Sequence, residues 1–266
     1  MPILDLGQVA PGIDETPTKD SKNTVSSGGV YDALQQKSNP NRLKNRYFVD
    51  PINQQGVSGV ISTRGYFIDC WILVSGKVEL TPSGLVLNGE IQQKLEDSVG
   101  ADTTATALSA TGLIEAEYDD ELKTFSISAN GETLIAAKLE LGDQQTLAHQ
   151  DKDGNWVLND TPPDKALELA KCQRYFLILG GRVVGHADWF FIPTPVSMRA
   201  NPALSLIKPG TITYGNGKTA SNIKDIQFYA LTSNGISLQV IGDGVSQFQP
   251  VSGEWSDFEI LADSEL

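Results

Sequence analysis

Short apolar segments alternate with polar residues over most of the chain after residue 39. In residues 124–129, Phe125, Ile127 and Ala129 are separated by Thr and Ser, which is the period-two pattern of a half-buried strand. Comparable segments lie at 71–74, 78–81, 85–87, 104–108, 113–118, 124–127 and 134–141. Turn signals separate them, namely Pro82-Ser83-Gly84, Asn88-Gly89, Asn130-Gly131 and Asp153-Gly154. The pattern predicts a jelly-roll-like β-sandwich over residues 39–160.

A helical pattern interrupts the strands between residues 161 and 180. Thr161 or Asp160 is expected to cap this helix, Pro162 or Pro163 to open it, and Asp164 to lie at its positive end. The apolar stripe consists of Ala166, Leu167, Leu169, Ala170 and Tyr175. Beyond Gly180-Gly181 the pattern predicts an antiparallel β-domain over 181–266, with strands at 182–184, 189–192, 226–231, 236–241 and 255–261.

The first 38 residues have the composition of a connector. They contain Pro, Gly, Ser, Thr and Asn, with few residues that could form a core. Val30, Tyr31 and Leu34 lie on one face of a short predicted helix. So short a helix needs a partner, either another copy of the chain or the following domain. The predicted fold is mainly β, with this short N-terminal helix and the linking helix over 161–180.

Charge and composition narrow the function classes. The net charge of −13 would repel phosphate backbones, so nucleic acid is not an expected partner. No apolar run approaches the ~20 residues that span a bilayer, and the first five residues have no secretory pattern. Cys70 and Cys172 are expected to be buried thiols, although the sequence does not decide whether they are neighbours.

The motifs of common enzymes and cofactor sites are missing from the sequence. There is no nucleophile elbow, phosphate-binding loop or zinc-protease motif. His149 and His186 are isolated, and Asp119-Asp120-Glu121 has the character of a solvated turn. We therefore expect no catalytic residues and no cofactor. Asp151, Asp153 and Asn155 resemble the start of a calcium loop, but Asp153-Gly154 before an apolar segment also predicts a plain hairpin, which we favour.

The four tryptophans allow two interpretations. Trp71, Trp156, Trp189 and Trp255 all lie in or beside predicted strands. Indole rings fill the cores of sandwiches, and exposed aromatic faces stack on sugar rings. The core role is favoured for each of them taken singly.

Three segments of the chain carry a resemblance to one protein family. The first is residues 18–34 (TKDSKNTVSSGGVYDAL), the second is residues 45–56 (NRYFVDPINQQG) with 65–71 (GYFIDCW), and the third is residues 138–147 (KLELGDQQTL) with Trp156 and 169–176 (LAKCQRYF). Together these segments resemble the tail-fibre or tail-tip proteins of phages and prophages of Gram-positive gut bacteria. The first is similar to the linker and helix of those proteins, the second to the opening of their carbohydrate-module-like sandwich, and the third to its last strand and the following helix.

The resemblance implies a non-enzymatic homotrimer in the virion tail. Its N-terminus would join other tail or baseplate proteins, and its C-terminal part would bind a host-surface glycan. Candidate ligand-binding residues in that part are Trp189, Tyr214, Asn216, Tyr229, Asn234, Asp243 and Trp255. Binding by the first sandwich, a purely structural tail role and a glycan-degrading activity remain as alternatives.

Overall fold

The protein is mainly β, as the sequence predicts. The computed structural model describes residues 12–14, 21, 23–26, 30, 38–100, 102–186, 188–243, 245 and 252–264. Two short parallel strands, β1 (Ile13–Asp14) and β2 (Thr24–Val25), precede the first domain. The N-terminal helix predicted around Val30 lies outside the described residues, apart from Val30 itself.

The first domain is built from one continuous antiparallel sheet. In space its strands follow the order β3-β5-β6-β10-β7-β8, and β4 and β9 pair with the first parts of β5 and β10. The strands are β3 (Val60–Ile61), β4 (Gly65–Ile68), β5 (Trp71–Thr81), β6 (Gly84–Lys94), β7 (Thr103–Ser109), β8 (Leu113–Glu115), β9 (Glu117–Asp119) and β10 (Thr124–Leu141).

The long strand β10 joins the two parts of the sandwich, because its first half pairs with β6 and its second half pairs with β7. Gly76 of β5 is directly opposite Gly89 of β6, and a Cβ atom at either position would lie 2.1 Å from a backbone oxygen of the other strand. Only glycine therefore fits at this crossing. We predicted Asn88-Gly89 and Asn130-Gly131 as turns, but the first pair lies inside β6 and the second lies at a bulge inside β10.

The sandwich core centres on Trp71. This side chain is fully buried and packs edge-on against Phe48 and Phe125, with ring centroids 5.2 and 6.0 Å away. Its indole Nε1 donates a hydrogen bond of 2.9 Å to the carbonyl oxygen of Asn45. The core interpretation of Trp71 is confirmed.

A hairpin and one helix follow the sandwich. The hairpin pairs β11 (Ala148–Gln150) with β12 (Trp156–Leu158), and the helix α1 spans Lys165–Gln173. Asp164 caps α1, in place of the predicted Thr161 or Asp160, because its carboxylate accepts the backbone N–H of Leu167 at 3.0 Å.

The buried face of α1 differs from the predicted apolar stripe. Glu168 and Cys172 are buried, whereas Leu167 is 66% exposed. The carboxylate of Glu168 accepts the backbone N–H of Asn45 at 2.6 Å and binds Lys171 at 2.9 Å. The hydrogen bond from Asn45 to Glu168 anchors this helix to the sandwich through its polar side. A count of the apolar residues in the helix does not detect such a contact.

The second domain is a nearly closed, barrel-like sheet of seven strands in the order β16-β15-β19-β13-β14-β18-β17. It begins at Phe176 rather than residue 181, because Gly180-Gly181 lies at a bulge inside the first strand. The predicted strands all lie within observed ones, but the long strand β15 was not predicted. The strands are β13 (Phe176–His186), β14 (Trp189–Pro193), β15 (Ala203–Tyr214), β16 (Thr219–Ala220), β17 (Asn222–Thr232), β18 (Gly235–Asp243) and β19 (Ser252–Asp263).

Buried side chains join the two domains around Tyr175. Cys70 and Cys172 belong to one buried cluster with Tyr175 and Ile52, and neither thiol forms a disulfide. The ammonium of Lys44 lies 4.3 Å from the centre of the Tyr175 ring, and burial is the largest of the effects that raise the pKa of the Tyr175 hydroxyl.

Candidate functional site

Two exposed aromatic rings lie in contact on the outer surface of the barrel-like domain. Trp189 of β14 is 39% exposed and Tyr229 of β17 is 68% exposed. Their ring centroids are 4.7 Å apart at an interplanar angle of 84°, an edge-to-face pair. Phe191, also on β14, is 40% exposed. Rings of this size are normally buried, so their exposure marks the surface as a candidate binding site.

The strand ladder places amide side chains beside these rings. Trp189 of β14 is directly opposite Gln239 of β18, and Gln239 is opposite Gln227 of β17. Alternation along β14 turns Phe190 and Ile192 into the core, which leaves Trp189 and Phe191 facing outward. We call Trp189, Phe191, Tyr229, Gln227 and Gln239 the aromatic face.

A buried carboxylate fixes one of the two amides. The Nε2 group of Gln239 donates to Oδ2 of Asp188 at 2.6 Å, and Asp188 is only 1% exposed. The other carboxylate oxygen, Oδ1, is buried and has no hydrogen-bond partner in the described part of the chain. Because the amide nitrogen of Gln239 is hydrogen-bonded to Asp188, the amide oxygen Oε1 remains as an acceptor at the aromatic face.

Two of the predicted ligand-binding residues belong to the core instead. Trp255 is fully buried, stacks on Phe258 at 4.0 Å and donates through Nε1 to the carbonyl oxygen of Pro209 at 2.9 Å. Tyr214 is 5% exposed and belongs to the same core cluster. Neither ring is available to stack on a ligand, so both are removed from the candidate set.

The three polar candidates are exposed but lie in turns and at strand ends. Asn216 accepts the backbone N–H of Lys218 at 3.1 Å, and Asn234 accepts the hydroxyl of Thr232 at 3.0 Å. Asp243 binds Lys224 at 2.7 Å, and this contact is the largest of those that lower the pKa of its carboxyl. By strand register, Asn234 lies at the opposite end of β18 from Asp243, so these residues do not form one site with the aromatic pair.

Sequence reasoning found Trp189 and Tyr229 but missed Phe191, Gln227 and Gln239. The signal for Phe191 was present: residues 189–192 are apolar at four successive positions, whereas a strand with one solvated face alternates. The two glutamines have no such signal, because only the strand register brings them beside Trp189.

The sandwich offers a different surface, an open groove of about 660 Å³. Its walls come from the start of β7, from β8 and from the loop after β10. Most of the residues that line the groove are polar, and one is a tyrosine. The polar residues and the tyrosine are Thr103, Thr104, Thr106, Glu115, Tyr118, Asp143, Gln144 and Gln145. The hydroxyl of Tyr118 already donates to Asp120 at 2.9 Å. The groove is the structural basis for the alternative that the sandwich binds the ligand.

The acidic segments of the sequence form hydrogen-bonded turns. Oδ1 of Asp151 accepts the backbone N–H groups of Asp153 and Asn155 at 2.9 and 2.8 Å, in the predicted hairpin. Asp120 accepts hydrogen bonds from Ser98, Val99 and Gly100, and these contacts, with Ser98 the largest, lower its pKa to about 2. No group of three or more His, Cys, Asp or Glu side chains suited to a metal occurs among the described residues.

Comparison with known protein families, curated proteins and solved structures gives no significant match. Among the described residues, no helix is long and apolar enough to cross a membrane.

Proposed function

We propose that this protein is a receptor-binding protein of a bacteriophage or prophage tail and attaches the virion to a host-surface glycan. The observation that carries the proposal is the exposed Trp189–Tyr229 pair beside the amides of Gln227 and Gln239. Aromatic rings with flanking hydrogen-bonding groups match the apolar faces and hydroxyl edges of sugars. The resemblance of residues 18–34, 45–56, 65–71, 138–147 and 169–176, with Trp156, to phage tail proteins supports the same function.

In this proposal the domains have separate tasks. The N-terminal segment joins the chain to tail or baseplate proteins, the sandwich acts as a spacer, and the barrel-like domain carries the aromatic face outward. A homotrimer would present three such faces, so weak binding at each site would add up to firm attachment.

Adhesion of the full chain to susceptible cells tests the proposal. Labelled protein is compared with a Trp189→Ala/Tyr229→Ala double variant, with Ile207→Ala, an exposed apolar residue of β15, as the matched control. We expect the double variant to lose adhesion and the control to retain it. Adhesion that survives in the double variant but is lost in Glu115→Ala would assign binding to the sandwich groove. A native chain that adheres to no susceptible cell would favour a structural tail role.

A further inference from the structure

The aromatic face is poor in charge, although the protein as a whole is strongly acidic. Its five members carry rings and amides, on a chain with a net charge of −13. His186 of β13 is directly opposite Trp189, so an exposed imidazole borders this face. The two lysine or arginine residues on the strands β13, β14, β17 and β18 are both paired with carboxylates. Arg182 binds Glu254 at 2.7 Å, and Lys224 binds Asp243 at 2.7 Å.

Two carboxylates near this face, those of Asp188 and Asp225, have no cation as a hydrogen-bond partner in the contacts that follow. Asp188 is buried beside Gln239, with an amide rather than a cation as its partner. Asp225 is exposed two residues before Gln227, and its carboxylate accepts the backbone N–H of Ile226 at 2.8 Å. An anionic ligand would therefore meet repulsion from these carboxylates, and the described strands β13, β14, β17 and β18 hold no lysine or arginine outside the two ion pairs.

Two stacking positions follow each other along β14. Trp189 and Phe191 project from the same face of the strand, and two residues of rise separate them by about 6.6 Å. Tyr229 extends the first position sideways across the sheet. The surface thus offers one ring contact after another along a strand, which suits a chain of sugar rings better than a single ring.

The hydrogen-bonding groups of the face are neutral and suited to both donors and acceptors. Oε1 of Gln239 is oriented as an acceptor by the contact of Nε2 with Asp188, and the exposed amide of Gln227 supplies both functions. Hydroxyl and acetamido groups match these amides without any ionic contribution.

We infer that the ligand of the aromatic face is an uncharged oligosaccharide, with neutral hexose or N-acetylhexosamine units lying along β14. This inference rests on the proposed glycan-binding function and narrows its ligand class. It predicts an affinity that depends on ring contact and hardly at all on salt, since no ion pair forms.

The test presents the full chain with a panel of immobilised neutral, anionic and amino-sugar oligosaccharides at about 50 and about 500 mM NaCl. We expect binding to neutral members, changing less than about twofold between the two salt concentrations. Trp189→Ala should weaken it at least about tenfold, as the loss of a central aromatic contact does, and Trp189→Phe should restore most of it. Ile207→Ala should bind as the native chain does.

Specific results would overturn the inference. Binding confined to charged oligosaccharides, or lost at high salt, would refute the neutral ligand while leaving host attachment intact. A lower oligomeric mass of Trp189→Ala in light scattering would show that a second copy of the chain covers the face. A native chain that binds no glycan and adheres to no cell would instead remove the proposed function itself.

Discussion

The sandwich and the barrel-like domain have the same kind of hydrophobic core. Each has one fully buried tryptophan, Trp71 or Trp255, surrounded by phenylalanines. In each, the indole N–H donates a 2.9 Å hydrogen bond to a backbone carbonyl oxygen, of Asn45 or of Pro209. The polar end of a large apolar group is thereby satisfied inside the protein.

The two domains differ in what covers their outer layer. In the sandwich, residues that follow β10 in the chain cover the outer side of its second half: Leu147 and Ala148 form a buried cluster with Ala136, and Trp156 and Leu158 pack against it. Lys138 and Glu140, on the same side of β10 as Ala136, are fully buried, and both contact Thr146. In the barrel-like domain, within the part of the chain that the structure describes, the rings of Trp189 and Tyr229 on the outer side of β14 and β17 remain exposed. Aromatic residues that contribute little to the core are therefore available to a ligand.

The largest expected effect comes from removing either central tryptophan. Trp71→Ala and Trp255→Ala should each lower the free energy of unfolding by about 3–5 kcal/mol, because each leaves a large cavity in a close-packed core. Chemical denaturation measures the loss, and hydrogen exchange locates it in the sandwich or in the barrel-like domain. Trp189→Ala is the matched control, with an expected loss of no more than about 1 kcal/mol. Equal losses at Trp189 and Trp255 would contradict the distinction between core and surface rings.

A smaller effect is expected at the covered face of the sandwich. The ammonium of Lys138 contacts Oγ1 of Thr146 at 3.0 Å, Asp160 at 3.4 Å and Glu140 at 3.7 Å. Lys138→Ala should lower the free energy of unfolding by about 3 kcal/mol, because the buried Glu140 loses its nearest cation. Thermal or urea denaturation measures the change.

A double variant separates the charge from the packing at this site. Lys138→Met/Glu140→Gln removes both charges but keeps an acceptor for the backbone N–H of Thr146, which Glu140 binds at 2.7 Å. It should recover about half of the loss or more. A double variant that is less stable than Lys138→Ala would show that the ion pair itself stabilises the sandwich.

The sequence predicted what period-two alternation encodes, but it placed the N-cap of α1 at Thr161 or Asp160 instead of Asp164. It indicated the mainly β class, the hairpin around Asp153 and the strand that contains Trp189. It could not distinguish a glycine that ends a strand from one inside a strand. Gly89 was therefore predicted to lie in a turn, although it lies inside β6 directly opposite Gly76 of β5. The helix α1 was found, but its polar anchor at Glu168 depends on a backbone N–H more than one hundred residues away in the chain.

The candidate site was predictable only in part for a related reason. An aromatic residue in a strand faces the core or the solvent according to register, and adjacent positions have opposite outcomes. Trp189 and Trp255 both occur in predicted strands, yet one is exposed and the other fully buried. The amides of Gln227 and Gln239 reach Trp189 through pairing between three strands, and a single sequence does not contain that information.

The smallest effects concern one carboxylate in each domain. In the sandwich, hydrogen bonds from Ser98 and from backbone amides lower the pKa of Asp120 from 3.8 to about 2. In the barrel-like domain, Lys224 lowers the pKa of Asp243. Because the folded-state pKa of Asp120 lies below its ordinary value, its contribution to stability is complete above about pH 4 and is lost as the pH falls towards 2. The stability advantage of the native chain over Asp120→Asn should disappear across that same pH interval.

NMR titration of both carboxyls at low and high salt completes the comparison. The pKa shift of Asp243 depends on an exposed ammonium and should shrink in salt, whereas the pKa shift of Asp120 depends on neutral donors and should persist. Shifts that shrink equally would show that distant charges, rather than the hydrogen bonds from Ser98 and its neighbours, lower the pKa of Asp120.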